Sequence, residues 1–425
     1  MDQILILLFF YFLILYSIMG YGKIFTLINS NYQASSFDGL LGLALLIFIS
    51  YLTNIFSPHD YLHNSIVILF GLIVFVYDFR QNFSKRRKEL RDLTITFSII
   101  FMGLLMFKNH DDFFYYHFPY TIILTEFEKV FGLGNLNHGF RTPSSIFYLN
   151  SLFYLPGIKY FFLNGAAVYI FGFSNFVLYN VIKDQLVKKD FNHILFLSLL
   201  SLLYINTTFP RLSEHGTDRS ALILIFLMSI FYLKSLNYEK KKFDQKYFSN
   251  YYTKLAVLFA IIISLKAFYI IYSIIFLLWF FQIRKFLKLN ILINLVLKNY
   301  YTYLILMLFI FTIFTIFTNT GCLIYPARST CFENLSWAIS LQQVDQMYLW
   351  YEQWSKGGAG PNFRVENPML YVANFNWVSN WIDIYFFNKV SDNILVIITI
   401  SIITIFLFRY NQFKIKAQKY NYKFF

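Results

Sequence analysis

Long apolar segments recur along almost the whole chain, and no other feature of the sequence constrains the fold as strongly. A helix that crosses a membrane needs about 20 predominantly apolar residues, with a range of about 17–25. Of the 425 residues, 58% are hydrophobic and only 14% are charged, whereas a soluble globular chain carries about 25% charged residues. The charged residues are too few to cover a water-facing surface, so the sequence predicts a molecule largely solvated by lipid.

Nine segments each predict one membrane-spanning helix, at residues 4–21, 39–56, 65–79, 93–107, 160–182, 194–209, 221–233, 301–318 and 394–408. A tenth apolar segment, 255–283, is too long for one straight span and short for two. Lysine-rich loops flank it at 234–254 and 284–298, and basic loops are typical of the cytoplasmic side. Both ends on one side require an even number of crossings. We therefore predict a hairpin of two short helices with Lys266 near its outward tip.

The basic loops also fix a topology. Residues 80–91 and the tail after Arg409 are rich in lysine and arginine, which predicts a cytoplasmic position for both. These anchors give about eleven spans, with the N-terminus outside and the C-terminus in the cytoplasm. Residues 108–159, 210–220 and 319–393 then lie outside. The net charge of +14 is explained by the short basic loops, so no nucleic-acid partner is predicted.

The predicted fold class is an all-α polytopic membrane protein with about eleven transmembrane helices, outward loops and interfacial helices at 120–131 and 144–155. We divide the chain into four parts: an N-terminal three-helix extension (1–92), a transmembrane core with the first outward loop (93–318), a second outward loop region (319–393), and a last helix with a basic tail (394–425). Residues 1–21 lack a basic start and a small-residue cleavage site, so they are predicted to be a first span.

The first outward loop opens with acidic residues directly after the fourth span. Asp111 and Asp112 lie there, and His117 follows shortly after them. A carboxylate in this position can act as a general base if its pKa and its reach suit the substrate. An aspartate before a helix also serves as an N-cap, and the residues alone favour that structural role. His117, in an aromatic segment, is more typical of a packed side chain than of a ligand.

A glycine-rich segment, 132–145, follows in the same loop. Its hydrogen-bond donors Asn135, His138 and Arg141 suit a phosphate or a sugar, and a surface loop with glycine turns is the alternative. The segment is not a nucleotide-binding P-loop, because the GK[ST] ending is absent.

The short outward loop 210–220 concentrates ionisable side chains, namely Arg211, Glu214, His215, Asp218 and Arg219. Ionisable residues at a membrane edge indicate a functional site by default. A solvated loop whose charges pair with one another is the alternative. The spacing matches no known zinc motif, so no metal site is predicted.

Two features later in the chain are also informative. Lys266 lies between two apolar runs, where a central charge costs about 2.5–3.5 kcal/mol. It either snorkels to the surface or faces a phosphate that approaches from the bilayer. Cys322 and Cys331 lie nine positions apart in the second outward loop, on the side where disulfides persist. We predict a structural disulfide over two free thiols.

Four motifs in a fixed order carry a resemblance to a known family: DDFFYYHFPY, GLGNLNHGFRTPSS, SLKAFY and TGCLIYP. With its many spans, an acidic first outward loop and a late outward loop, the chain resembles the GT-C superfamily of polytopic membrane glycosyltransferases. More specifically, it is similar to a bacterial family of GT-C-like membrane proteins. The resemblance covers about residues 95–400.

The resemblance implies a GT-C-like fold in a bacterial inner (plasma) membrane. It also implies inverting transfer of a sugar from a polyprenyl phosphate to a glycan or lipid acceptor on the periplasmic face. Asp111 or Asp112 would take the proton of the acceptor hydroxyl. Lys266, with Arg141 or Arg211, would stabilise the departing phosphate. The predicted substrate-binding set is completed by His117, Asn135, His138 and Asp218. Some members of the superfamily use a divalent metal and others do not, which leaves the cofactor open.

Two other classes of protein stay open as alternatives. A lipid or solute transporter should show inverted repeats and broken helices that meet at mid-membrane, and neither is apparent in the sequence. A polysaccharide polymerase or ligase would also have charged outward loops. The acidic pair directly after a span favours the transferase, because a polymerase is expected to rely more on arginines.

Overall fold

The computed structural model describes residues 2–28, 36–105, 112–208, 216–236, 245–357 and 365–421. Within these ranges the chain is helical and contains no β-strand, and one isolated bridge pairs Cys322 with Cys331. The predicted all-α class is confirmed for this part of the chain.

The described residues form seventeen α-helices: α1 (Asp2–Ile28), α2 (Asp38–Asn54), α3 (Tyr61–Gln81), α4 (Phe83–Leu104), α5 (Phe118–Glu126), α6 (Ser145–Ser151), α7 (Gly165–Val187), α8 (His193–Thr208), α9 (Thr217–Leu236), α10 (Gln245–Leu265), α11 (Ser273–Arg284), α12 (Leu289–Leu297), α13 (Tyr300–Thr320), α14 (Leu341–Lys356), α15 (Pro368–Val372), α16 (Val378–Trp381) and α17 (Ser391–Asn421). Short 3₁₀ and π segments join several of them, including a π-helix at Phe113–His117 directly before α5.

Eight segments of the described chain are long and apolar enough to cross a membrane: Gln3–Ile24, Tyr61–Gln81, Lys159–Val187, Thr217–Leu236, Gln245–Leu265, Ala267–Arg284, Tyr300–Thr320 and Val378–Phe406. The three remaining predicted spans also fall on helices. However, α2 and α8 have only 17 and 16 residues, and the first turns of α4 carry several charges. A polytopic membrane protein is therefore supported, while the count of eleven spans stays a prediction.

The long apolar segment 255–283 is divided into two helices, as the charge of its flanking loops predicts. Helix α10 ends at Leu265, and a 3₁₀ segment, Ala267–Tyr272, leads into α11. Lys266 lies at the break with an extended backbone (φ −155°, ψ 108°). Both halves, Gln245–Leu265 and Ala267–Arg284, qualify as separate spans.

The three N-terminal helices share one core with the rest of the bundle. Tyr169 of α7 donates a hydrogen bond from its hydroxyl to the Tyr11 carbonyl at 2.8 Å. Helix α1 approaches α2 very closely, because a Cβ on Gly42 would lie 1.9 Å from the Ile18 carbonyl oxygen. Small residues at such contacts let helix backbones approach in a lipid environment, where packing replaces the hydrophobic drive.

The predicted interfacial helices are largely inside the protein. All seven residues of α6 are buried, and four of the nine residues of α5 are buried as well. For α6 the prediction of a helix exposed at the headgroup level is wrong. The helix packs against α2, α5, α7 and α10, so its aromatic residues fill the core, and an amphipathic pattern over so few residues does not show which partner covers them.

Two groups of polar contacts join segments that are distant in the sequence. Lys23 pairs with Asp38 in the core, and Arg86 Nη1 lies 3.8 Å from Asp38 Oδ2. Arg86 belongs to the segment 80–91 that is predicted to be cytoplasmic, and Lys23 and Asp38 flank the connection between the first two predicted spans, which the same topology places on that side. The two long loops predicted to be outside contact each other as well, since Asn135 Nδ2 donates to the Trp337 carbonyl at 2.8 Å. The first group joins segments predicted to be cytoplasmic and the second joins loops predicted to be outside, and the topology itself stays a prediction.

Candidate functional site

The two most distinctive ionisable residues of the later spans meet in space. Lys266 Nζ lies 3.2 Å from Asp218 Oδ2, and the two side chains are 40% and 49% exposed. Helices α9 and α10 pack side by side, with Asp218 at the start of one and Lys266 just beyond the end of the other. The ion pair is therefore open to an approaching ligand.

Gly216 sets the point where α9 begins. Its φ of +63° lies in the left-handed region that favours glycine, and an added Cβ would lie 2.6 Å from the Ala167 Cβ. Its carbonyl accepts the Ser220 N–H at 2.8 Å. This turn against α7 places Asp218 in the first turn of α9.

Asp112 lies directly before the π-helix Phe113–His117, and its side chain makes no capping hydrogen bond to that helix. The N-cap alternative is therefore not realised at Asp112. Inserted π turns are frequent at functional sites. Burial is the main cause that raises the pKa of Tyr116 above its usual range, and the negative charges of Asp112 and Asp218 raise it further. Both carboxylates thus interact electrostatically with the same phenol.

Tyr116 is held in place by the glycine-rich segment. A Cβ on Gly139 would lie 2.4 Å from the Tyr116 ring, so the phenol occupies space that only glycine leaves free. Asn137 Nδ2 donates to the Tyr115 carbonyl at 3.1 Å, and its Oδ1 accepts the Gly139 N–H at 2.8 Å. The segment is thereby fixed against the π-helix.

His138 lies at the edge of this group. Its Nδ1 is 3.1 Å from the Tyr115 hydroxyl, and its ring centroid is 6.3 Å from that of Trp350. Burial and the guanidinium of Arg141 lower the pKa of His138, while Asp112 acts in the opposite direction. The surroundings of His138 therefore favour the neutral imidazole, and Asp112 is close enough to interact with it electrostatically. We call Asp112, Tyr116, His138, Asp218 and Lys266 the outward site.

The donors of Arg141 are directed at protein acceptors. Its Nε donates to the Gly134 carbonyl at 3.0 Å, its Nη1 to the Tyr325 hydroxyl at 3.1 Å, and its Nη2 to Gln343 Oε1 at 3.0 Å. The contacts to Tyr325 and Gln343 hold the first outward loop against the second. Asn135, which donates to the carbonyl of Trp337 at 2.8 Å, has the same effect. Substrate binding by Asn135 and Arg141 stays a prediction.

His117 is enclosed by the protein. It is 2% exposed, and its ring lies 4.1 Å from that of Tyr116 and 4.7 Å from that of Phe147. These contacts agree with the packed side chain that was the alternative to a ligand role. Two other predicted site residues, Asp111 and Arg211, lie outside the described residues.

Cys322 and Cys331 form a disulfide with an S–S distance of 2.08 Å and a Cα–Cα distance of 3.8 Å. The bond closes the turn that presents Tyr325 to Arg141. Cys322 is buried in a small apolar cluster that also contains Ile339. The cross-link thus supports the contact between the two loops.

Sequence reasoning missed a polar network that joins the first outward loop to α13. Lys129 Nζ donates to the Tyr148 hydroxyl at 2.9 Å, the hydroxyls of Tyr148 and Tyr120 lie 3.3 Å apart, and Asn319 Nδ2 donates to the Tyr120 hydroxyl at 3.0 Å. Burial lowers the pKa of Lys129 to about 7. The sequence signal is weak, because the acidic residues beside Lys129 suggest a solvated turn.

Within the described residues, no group of three or more His, Cys, Asp or Glu side chains is arranged to hold a metal ion. In comparisons with known proteins, the chain matches the family described as "Domain of unknown function (DUF8201)" over residues 4–424. The match runs through the helix bundle and both outward loops. No curated protein and no solved structure matches the chain.

Proposed function

The chain belongs to the DUF8201 family, and we propose that it is a membrane glycosyltransferase. In this proposal it transfers a sugar from a polyprenyl phosphate to a cell-envelope acceptor on the outward face of a bacterial inner membrane, with inversion at the anomeric carbon. The observation that carries the proposal is the exposed ion pair of Asp218 and Lys266, to which Asp112 is linked by its electrostatic effect on Tyr116. In the proposal, Asp112 supplies the base and Lys266 the partner of the phosphate.

Lys266 suits the donor phosphate. The ammonium group has three donors, and its contact with Asp218 Oδ2 uses one of them. The adjoining 3₁₀ segment exposes Phe268 and Ile271 at 74% and 65%, an apolar surface that a polyprenyl chain can follow. A preorganised cation at a developing negative charge is a large source of rate enhancement. The donor therefore enters from the bilayer with its phosphate at Lys266.

Asp112 suits the acceptor. The acceptor oxygen attacks the anomeric carbon from the face opposite the phosphate, a new C–O bond forms, and the bond to the phosphate oxygen breaks. The phosphate leaves with the electron pair, and the hydroxyl proton passes to the Asp112 carboxylate. A positioned general base of this kind contributes about 10²–10⁴-fold to the rate.

The test is transfer by purified full-length protein with a panel of polyprenyl-phosphate-linked sugars and envelope extract as acceptor. Asp112→Asn keeps size and hydrogen-bonding capacity but removes the proton acceptor, so the rate should fall about 10²–10⁴-fold without loss of folded protein. The matched control is Asp190→Asn, which removes an exposed carboxylate that accepts from Asn192 Nδ2 after the end of α7.

Two outcomes contradict the proposal. Full transfer by the Asp111→Asn/Asp112→Asn double variant would remove the base from the first loop. Movement of the lipid-linked sugar across the bilayer without any glycosylated product would instead identify a transporter.

A further inference from the structure

Helix α14 of the second outward loop uses one face to pack on the protein. Val344 is buried, and Met347 and Tyr351 pack beside it against the small apolar cluster that contains Tyr325 and Ile339. Residues three and four positions apart lie on one face of a helix. This face of α14 is therefore covered by protein and does not need lipid to cover it.

A neighbouring stripe of the same helix combines amides with two tryptophans. Gln343, Gln346, Trp350 and Trp354 recur at spacings of three and four. The rings of Trp350 and Trp354 stack, with centroids 6.2 Å apart and planes inclined by 28°. Trp354 is 37% exposed, and Gln346 is exposed as well. The stripe offers the partly exposed rings of two tryptophans beside amide donors and acceptors.

This stripe adjoins the outward site. The Trp350 ring lies 6.3 Å from the His138 ring, and His138 interacts electrostatically with Asp112. Gln343, at the other end of the stripe, is held by Arg141. A ligand that lies on the two tryptophans therefore has one end near the candidate base.

We infer that Trp350 and Trp354 form an acceptor subsite for a carbohydrate chain, which makes the acceptor a glycan and not a lipid. The inference rests on the proposed transferase function. A pyranose ring presents C–H groups on its faces and hydroxyls around its rim. Tryptophan supplies a large rigid contact surface at low entropic cost, and Gln346 bonds the rim hydroxyls. The donor reaches Lys266 from lipid, and the acceptor reaches Asp112 along α14 from water.

The composition of α14 favours a glycan over the membrane surface as the occupant. Helices that lie on a membrane carry lysine and arginine on the polar face and a broad apolar face toward lipid. The polar residues of α14 are instead four glutamines, Asp345, Glu352, Ser355 and a terminal Lys356. Acidic residues would be repelled by anionic headgroups, whereas amides and carboxylates bond well to sugar hydroxyls.

The test is direct binding by the detergent-solubilised full-length chain, without any donor lipid. The probes are fluorescent hexasaccharides of glucose, N-acetylglucosamine, mannose and galactose. At least one should bind, and Trp350→Ala and Trp354→Ala should each weaken its binding about tenfold, as for aromatic hot spots. Tyr348→Ala is the matched control, since this exposed aromatic residue lies on the same helix outside the stripe. It should change binding less than about twofold.

Three outcomes would overturn the inference: no binding of any hexasaccharide, an equal loss in Tyr348→Ala, or quenching of Trp350 and Trp354 fluorescence by brominated phospholipids in nanodiscs, which would place both rings in the membrane. The Asp112→Asn variant separates this result from the proposed function. It should keep glycan binding while it loses transfer. Intact binding with full transfer in Asp112→Asn would refute the base and leave the subsite standing.

Discussion

Arg141→Lys tests whether this residue holds the two outward loops together or binds a substrate phosphate. The variant keeps the positive charge but loses the planar fork, and a single ammonium cannot reproduce bonds directed at three fixed acceptors. In the structure those acceptors are the Gly134 carbonyl, the Tyr325 hydroxyl and Gln343 Oε1, all at 3.0–3.1 Å. We expect the lysine to keep the contact with Gly134 inside the first loop and to lose both bonds to the second loop.

The magnitude follows from the number and type of these bonds. A hydrogen bond to a charged group contributes about 1.5–3 kcal/mol, and water replaces part of this at a half-buried site. Losing two bonds should therefore cost about 2–3 kcal/mol of docking free energy. Since 1.4 kcal/mol corresponds to a factor of ten, amide hydrogen exchange of α14 should accelerate about 30- to 150-fold.

Hydrogen–deuterium exchange of the solubilised protein measures this change locally. Arg328→Lys is the control, because Arg328 makes one exposed pair with Asp345 in the same loop, and such pairs contribute about 0–1 kcal/mol. Exchange in the control should rise less than about fivefold. Unchanged protection of α14 in Arg141→Lys together with lost transfer would refute the docking role. It would favour binding of the substrate phosphate by Arg141.

The remaining predictions concern charge, pH and topology. Lys266→Met should lower transfer about 10²-fold or more, because it removes a cation at the leaving phosphate. The melting temperature should stay the same or rise, since the pair of Lys266 with Asp218 is half exposed. A loss of folded protein in parallel with the loss of transfer would contradict this prediction. Burial, and then His63, lower the pKa of His59 to about 3, while the unfolded value is about 6.5. As the pH falls, the unfolded chain binds this proton before the folded chain does. The free energy of unfolding therefore loses nothing to His59 above about pH 6.5 and falls by up to about 1.4 kcal/mol per pH unit between about pH 6.5 and about pH 3. The pH profile of the melting temperature of His59→Gln should lack this slope, and identical profiles for the variant and the native chain would refute the prediction. Single cysteines introduced at Lys88 and Glu333 should be labelled by an impermeant maleimide from opposite faces of the membrane. The native chain is the control for background labelling, because its only two cysteines are paired.

The spans were readable from the sequence because each depends on a local property. An apolar run specifies a helix in lipid whatever its neighbours are, and the basic loops at both ends of segment 255–283 forced the break that the structure has at Lys266. Candidate chemistry was partly readable for the same reason. An isolated charge such as Lys266 or Asp218 is conspicuous in an apolar chain. That the two form a pair follows from the packing of α9 against α10, which local patterns only suggest.

Features that depend on distant contacts were not readable. Arg141 donates to Tyr325 and Gln343, which lie roughly 180–200 positions further along the chain. The sequence does not show these acceptors, and the donors of Arg141 were therefore assigned to a phosphate. The Tyr120–Tyr148–Lys129 network and the full burial of α6 have the same origin. The chain has 34 tyrosines, and nothing in their spacing distinguishes those that share a buried hydrogen-bond network from those that face lipid.

The placement of Asp218 and Lys266 at two helix ends affects what happens when a ligand binds. The N-terminal end of a helix carries a partial positive charge, and an acidic side chain in its first turn is stabilised there by about 0.3–1 kcal/mol. Asp218 lies in the first turn of α9, whereas Lys266 follows the C-terminal end of α10, where the partial charge is negative. Each side chain thus has a second electrostatic partner in the backbone. When Lys266 leaves Asp218 to bind an anion, the partial positive charge at the start of α9 still stabilises the Asp218 carboxylate. The ion pair can therefore open without leaving Asp218 uncompensated.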